Sequence, residues 1–112
     1  MLYTITKAVT THGTPVPLAT SRIPASWATV QAFSGNTGAV YVGGIDPTTK
    51  LPAVRNDADN GNDGLSYKGH KLAPGDFANL REMGGVTYLD LQYIYMDADN
   101  SLDGLICNFG RR

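Results

Sequence analysis

The chain has one cysteine, one glutamate, one tryptophan and no apolar run approaching twenty residues. A single thiol, Cys107, excludes an internal disulfide, so the fold must rest on its core or on partners. Glu82 stands alone against nine aspartates. Asp bonds to nearby backbone and favours turns and caps, whereas Glu is a helix former, so this bias argues against a helical bundle. The missing apolar run leaves no candidate membrane helix. MLYTITKAVTTHGTP is not a basic leader followed by a long apolar stretch, so a secretory signal is not expected and synthesis in a cytoplasm is. G-x-S-x-G, H-E-x-x-H, C-x-x-C and a Gly-rich phosphate loop are all absent.

What is present suits one folded, turn-rich domain: 112 residues, 42% hydrophobic, 17% charged, with 13 glycines. The net charge of −1 gives no global basic field for a nucleic-acid backbone, and no nucleic-acid partner is expected. Charge is unevenly placed. Lys7, Arg22, Lys50 and Arg55 face only Asp46 in the first half, while nine acids face five bases from Asp57 onward.

Tyr3, Ile5 and Val9 alternate with threonines, the period of a half-buried strand. THGTPVPLATSRIPAS (11–26) holds three prolines and little periodicity, which predicts an extended segment. Residues 1–26 are therefore expected as an extended N-terminal arm containing one strand, and 27–112 as a β-sandwich domain. WATVQAFS and AVYVGG flank Gly35-Asn36-Thr37-Gly38, the signal of a hairpin. From Ile45 to Gly69 the chain turns polar and irregular. LAPGDFANL fits one helical turn, with Asp76 as cap and Phe77, Leu80 and Met83 in phase, or a strand. VTYLDLQYIYM (86–96) and LICNFG (105–110) predict a strand, a turn and a strand, with Leu105, Cys107 and Phe109 facing one way. About seven short strands predict an all-β fold, a sandwich or a partly open barrel; the reading adopted is a small antiparallel β-sandwich of jelly-roll or Ig-like type.

Two octads, DADNGNDG (57–64) and DADNSLDG (97–104), raise the question of calcium. An EF-hand loop needs Gly at its sixth position and Glu at its twelfth. Asn62 and Lys68 stand there in the first copy, Leu102 and Asn108 in the second. A looser site could use Asp57, Asp59 and Asp63, or Asp97, Asp99 and Asp103. The plainer reading makes them turns, with Asp and Asn oxygens accepting backbone N–H groups while Gly64 and Gly104 supply positive φ. The turn reading is preferred, and no metal ligand, cofactor or catalytic residue is assigned. His12 and His70 lack an orienting carboxylate neighbour, and Cys107 reads as a buried, inert thiol. Glu82 with an Asp is thin support for a glycosidase pair. Trp27 and the six tyrosines fit packing better than a sugar platform. Arg111 and Arg112 are either a solvated tail or a contact to phosphate or carboxylate.

TVQAFSGNTGAVYVGGID, GHKLAPGDF and LQYIYMDADNSLDGLICNF together resemble a group of small tailed-bacteriophage virion proteins. Their order is an N-T-G, x-V-Y-V-G-G opening, an L-x-P-G middle and an I-Y-V-D…D-G-V closing hairpin, matched here at Val30–Gly44, Leu72–Gly75 and Ile94–Leu105. The resemblance implies a non-enzymatic head decoration or cement protein on the capsid surface. It would bind the major capsid protein, self-associate there and stabilise the head. Leu2, Tyr3 and Ile5 would anchor the arm. Two other classes remain, a tail or fibre module binding host-surface glycans and a calcium-binding β-domain.

Overall fold

The computed structural model describes residues 2–44, 54, 70–80 and 89–111. The first DADN octad, Glu82 and Arg112 lie outside them. Among the described residues the protein is all-β, with nine strands in two antiparallel sheets. The larger sheet has the order β1 (Leu2–Ala8), β9 (Gly104–Arg111), β3 (Pro24–Ala32) and β6 (Phe77–Asn79), with β7 (Leu89–Asp90) also paired to β3. The smaller has the order β2 (Val16–Pro17), β8 (Tyr95–Ala98), β4 (Val40–Gly43) and β5 (His70–Leu72).

The pairing is nested: β1 with β9, β2 with β8, β3 with β6, β4 with β5. The chain thus runs as one long hairpin whose two arms pair along their length. The hairpin is then rolled, so that β3 also meets β9 and β4 also meets β8. Period-2 alternation supplies the core between the sheets. Ala28, Val30 and Ala32 of β3 and Leu105, Cys107 and Phe109 of β9 are buried from one side, Val40, Val42, Met96 and Ala98 from the other, in one cluster.

The strand segments were legible, but two pairings differ from expectation. The stretches 27–34 and 39–44 do not form a hairpin, because β3 and β4 belong to different sheets. The same holds for 86–96 and 105–110, whose strands β8 and β9 are also in different sheets. The 86–96 stretch is broken as well. Asp90 Oδ1 accepts from Ile23 N and Gln92 N, both at 3.1 Å, and caps a 3₁₀ turn over Leu91–Tyr93 where a continuous strand was expected. The LAPGDFANL segment resolves as a turn, with Gly75 at φ 85° and Ala73 N donating to Asp76 Oδ2, followed by β6.

The N-terminal segment is built into the body. All seven residues of β1 pair with β9, Tyr3 stacks on Phe109 with centroids 5.5 Å apart, Ile5 packs on the core, and Leu18 and Ala19 are buried. Of the expected arm anchors, Tyr3 and Ile5 therefore serve this chain's own core side, and Leu2 points away.

Candidate functional site

The described DADN octad fastens the crossover from β8 to β9. Asp97 is fully buried, and its Oδ1 accepts from Gly13 N at 3.0 Å and Ala98 N at 2.7 Å. Asp99 accepts from the Tyr41 hydroxyl at 3.1 Å, while its own N–H donates to the Ala39 carbonyl. Asp103 is 6% exposed. Its carboxylate takes Gly38 N at 2.9 Å, Thr37 N at 3.1 Å and the Thr37 hydroxyl at 3.2 Å. Beside it the Asn36 amide grips Gly104 in both directions, donating to its carbonyl at 2.9 Å and accepting its N–H at 3.0 Å. The carboxylates thus diverge onto three separate sets of backbone and hydroxyl donors. Among the described residues no group of three or more His, Cys, Asp or Glu side chains is placed to share an ion.

This buckle explains why the two expected hairpins do not form. The Thr37 and Gly38 amides, the Thr37 hydroxyl and the Asn36 side-chain amide donate to residues 103 and 104, distant in sequence, so the turn carries the chain across to the other sheet. Gly104 does not supply positive φ, contrary to expectation; Leu102 does, at φ 75° and 74% exposed. Gly104 is needed for close approach, since a Cβ there would overlap the Lys7 carbonyl oxygen. The sequence reading missed Asn36, Thr37 and Gly38 as functional parts of the fold, because their partners lie more than sixty residues away and leave no local signal.

Among the described residues the remaining candidates are spread over separate places in the fold. His12 is exposed and uses its backbone N–H on Ser101 Oγ, His70 is exposed on β5, and Arg111 is exposed at the end of β9. Burial pushes the Cys107 thiol up to about 12 from an ordinary value of 9.0. Between those values the unfolded chain holds fewer protons than the folded one, so stability is lost as pH rises from about 9 toward 12. Urea midpoints measured at about pH 8 and about pH 10.5 should diverge more in the wild type than in Cys107→Ala, which lacks the titrating group. Equal divergence would show the thiol to be accessible.

The larger sheet turns an outer face away from the core. Alternation and register place Leu2, Thr4 and Thr6 of β1, Ile106 and Asn108 of β9, Trp27, Thr29 and Gln31 of β3, and Phe77 and Asn79 of β6 away from the core. None of these residues is charged. Thr4, Asn108, Thr29 and Asn79 lie in one row across four strands, with the Thr4 hydroxyl donating to Asn108 Oδ1 at 2.7 Å. Trp27 lies flat enough over Gly110 that any Cβ there would overlap its Nε1. Phe77, 75% exposed, and Leu2, 62% exposed, flank the face at its two edge strands. No helix among the described residues is long and apolar enough to cross a membrane.

Comparison with known proteins finds no matching family model, no matching curated protein and no matching solved structure.

Proposed function

We propose that this chain is a non-enzymatic virion structural protein, a head decoration or cement protein that binds the major capsid protein and stabilises the head. The observation that carries the proposal is the uncharged outer face of the larger sheet. Interface centres are depleted in charge and enriched in aromatic residues, and here Trp27 and Phe77 stand among threonines, asparagines and Ile106. The choice of partner rests on the resemblance. Its three blocks become the joints of the fold: Asn36–Gly38 fastens to Asp103 and Gly104, β4 pairs with β8, and Leu72–Gly75 leads into the turn before β6. Residues used as joints fit a protein whose work is to hold a shape. The nested pairing supports the jelly-roll alternative over the Ig-like one, because a rolled hairpin of two Greek keys gives this strand order.

Mixing the protein with undecorated capsid shells tests the proposal. It should co-sediment with them and raise the temperature at which they open. Failure to bind would overturn it. Phe77→Asp should abolish binding and leave the protein's own melting temperature within about 2 °C, since an exposed side chain far from caps and core contributes little to folding.

The glycan-binding tail or fibre reading draws on the exposed rings of Phe77 and Tyr93, 75% and 57% exposed. Mass spectrometry of separated heads and tails decides between the two. The calcium-binding reading would be favoured by a melting temperature that falls on chelation with EDTA.

A further inference from the structure

The larger sheet ends in a strand that, among the described residues, has one open edge. Among the described residues β1 pairs only with β9, over its whole length and without a bulge. The Lys7 carbonyl approaches Gly104, and Val9 N donates to Asp103 O at 2.9 Å, so odd-numbered residues direct their backbone toward β9. By alternation, the amides and carbonyls of Leu2, Thr4, Thr6 and Ala8 face outward. Natural sheets guard such an edge with proline, bulges, inward charge or very short strands. LYTITKA has no proline and no bulge; its one charge, Lys7, shares the inward side with Ile5 and guards only the C-terminal end of the strand, leaving residues 2–6 without such a device.

We infer that the open edge of β1 pairs antiparallel with β1 of a second copy, joining the two larger sheets across a two-fold axis at Ile5. The strand is complementary to itself in that register. Every outward-facing residue meets another, Thr4 against Thr6 and Leu2 against Ala8, so all seven residues overlap. Lys7 falls opposite the exposed Tyr3 of the other copy, which places the ammonium near an aromatic ring. In the register centred on Lys7 the two ammonium groups would oppose each other, and the overlap would be shorter. Threonines directly opposite one another across antiparallel strands also support pairing. The uncharged outer face would continue across the junction, doubling the surface offered to a partner. This inference concerns the free protein and stands whether or not the partner is a capsid.

Sedimentation of the full chain at about 100 µM, where a complex of micromolar Kd is mostly formed, should give the mass of a dimer. Thr6→Pro removes an outward amide and leaves the ladder to β9 in place, so it should sediment as a folded monomer. A monomeric wild type, or a folded dimeric Thr6→Pro, overturns the inference. Ile5→Cys gives a second test that does not depend on proline being tolerated. Opposed residues of a non-hydrogen-bonded antiparallel pair sit about 4.5 Å apart at Cα, within disulfide reach. The variant is made in a Cys107→Ala background, because the register sets Cys107 directly opposite residue 5 within the chain; under mild oxidation it should run as a covalent dimer. Absence of the cross-linked species counts against the pairing.

Discussion

Asp103→Ala should lower the melting temperature by about 10 °C, a loss of roughly 2–4 kcal/mol for a domain of this size. The carboxylate is almost wholly buried and accepts from two backbone amides and one hydroxyl of the Thr37-Gly38 pair. Hydrogen bonds to a charged acceptor contribute more than neutral ones, and alanine leaves their donors facing a void. The damage should not stay local. Residues 36–38 carry the chain from the larger sheet to the smaller, and the same turn secures Gly104 through Asn36. Loosening it frees the start of β4 and the start of β9 together. Asp103→Asn is the sharper comparison. Its amide keeps one acceptor oxygen but turns an NH₂ toward amides that also donate, so it should fall between wild type and alanine. If both variants melt with the wild type, the fold does not depend on this buckle. Thermal denaturation followed by circular dichroism reads all three.

Much of the fold is legible in the sequence because burial follows alternation. Leu105, Cys107 and Phe109 were expected on one face and lie in one core, and the 39–44 stretch holds β4; β3 begins at Pro24, three residues before the expected 27–34 stretch and inside the segment expected as an arm. Pairing is a different kind of information. Adjacent strands joined by a Gly- and Asn-bearing turn form a hairpin by default, since neighbours in sequence usually become neighbours in space. Here the default fails twice for one reason: the turn at 36–38 and the octad at 97–104 satisfy each other, so neither needs to close on its own flanking strands. Asp90 is a second case. It was expected inside one strand over 86–96, and only its long-range bond from Ile23 N, with Arg22 3.4 Å from its other oxygen, explains why the apolar run around it is not one strand. The N-terminal strand shows the same limit. Its alternation was visible, but nothing local told that its partner is the last strand of the chain.

Gly104→Ala is expected to be the most damaging single methyl in the described chain. A Cβ at this position would overlap the Lys7 carbonyl oxygen and lie 2.8 Å from Ala8 Cα and 2.9 Å from Phe33 Cε2. The first two are backbone atoms, which cannot rotate aside as a side chain would. Relief requires β1 to draw back from β9 at its Lys7–Ala8 end, or the Asn36 clasp to open. Either costs more than ordinary overpacking, which runs at about 1–3 kcal/mol, against a total stability of roughly 5–15 kcal/mol. The variant should therefore melt at least about 10 °C lower. Its β1 amides that face β9, those of Tyr3, Ile5 and Lys7, should lose hydrogen-exchange protection ahead of the core. Gly35→Ala provides the control, because a Cβ there meets nothing within 4 Å, and it should melt with the wild type. Since Gly104 has no positive φ, the penalty comes from contact alone. Loss of protection should then be concentrated where β1 and β9 touch; uniform loss across both sheets would place the strain elsewhere.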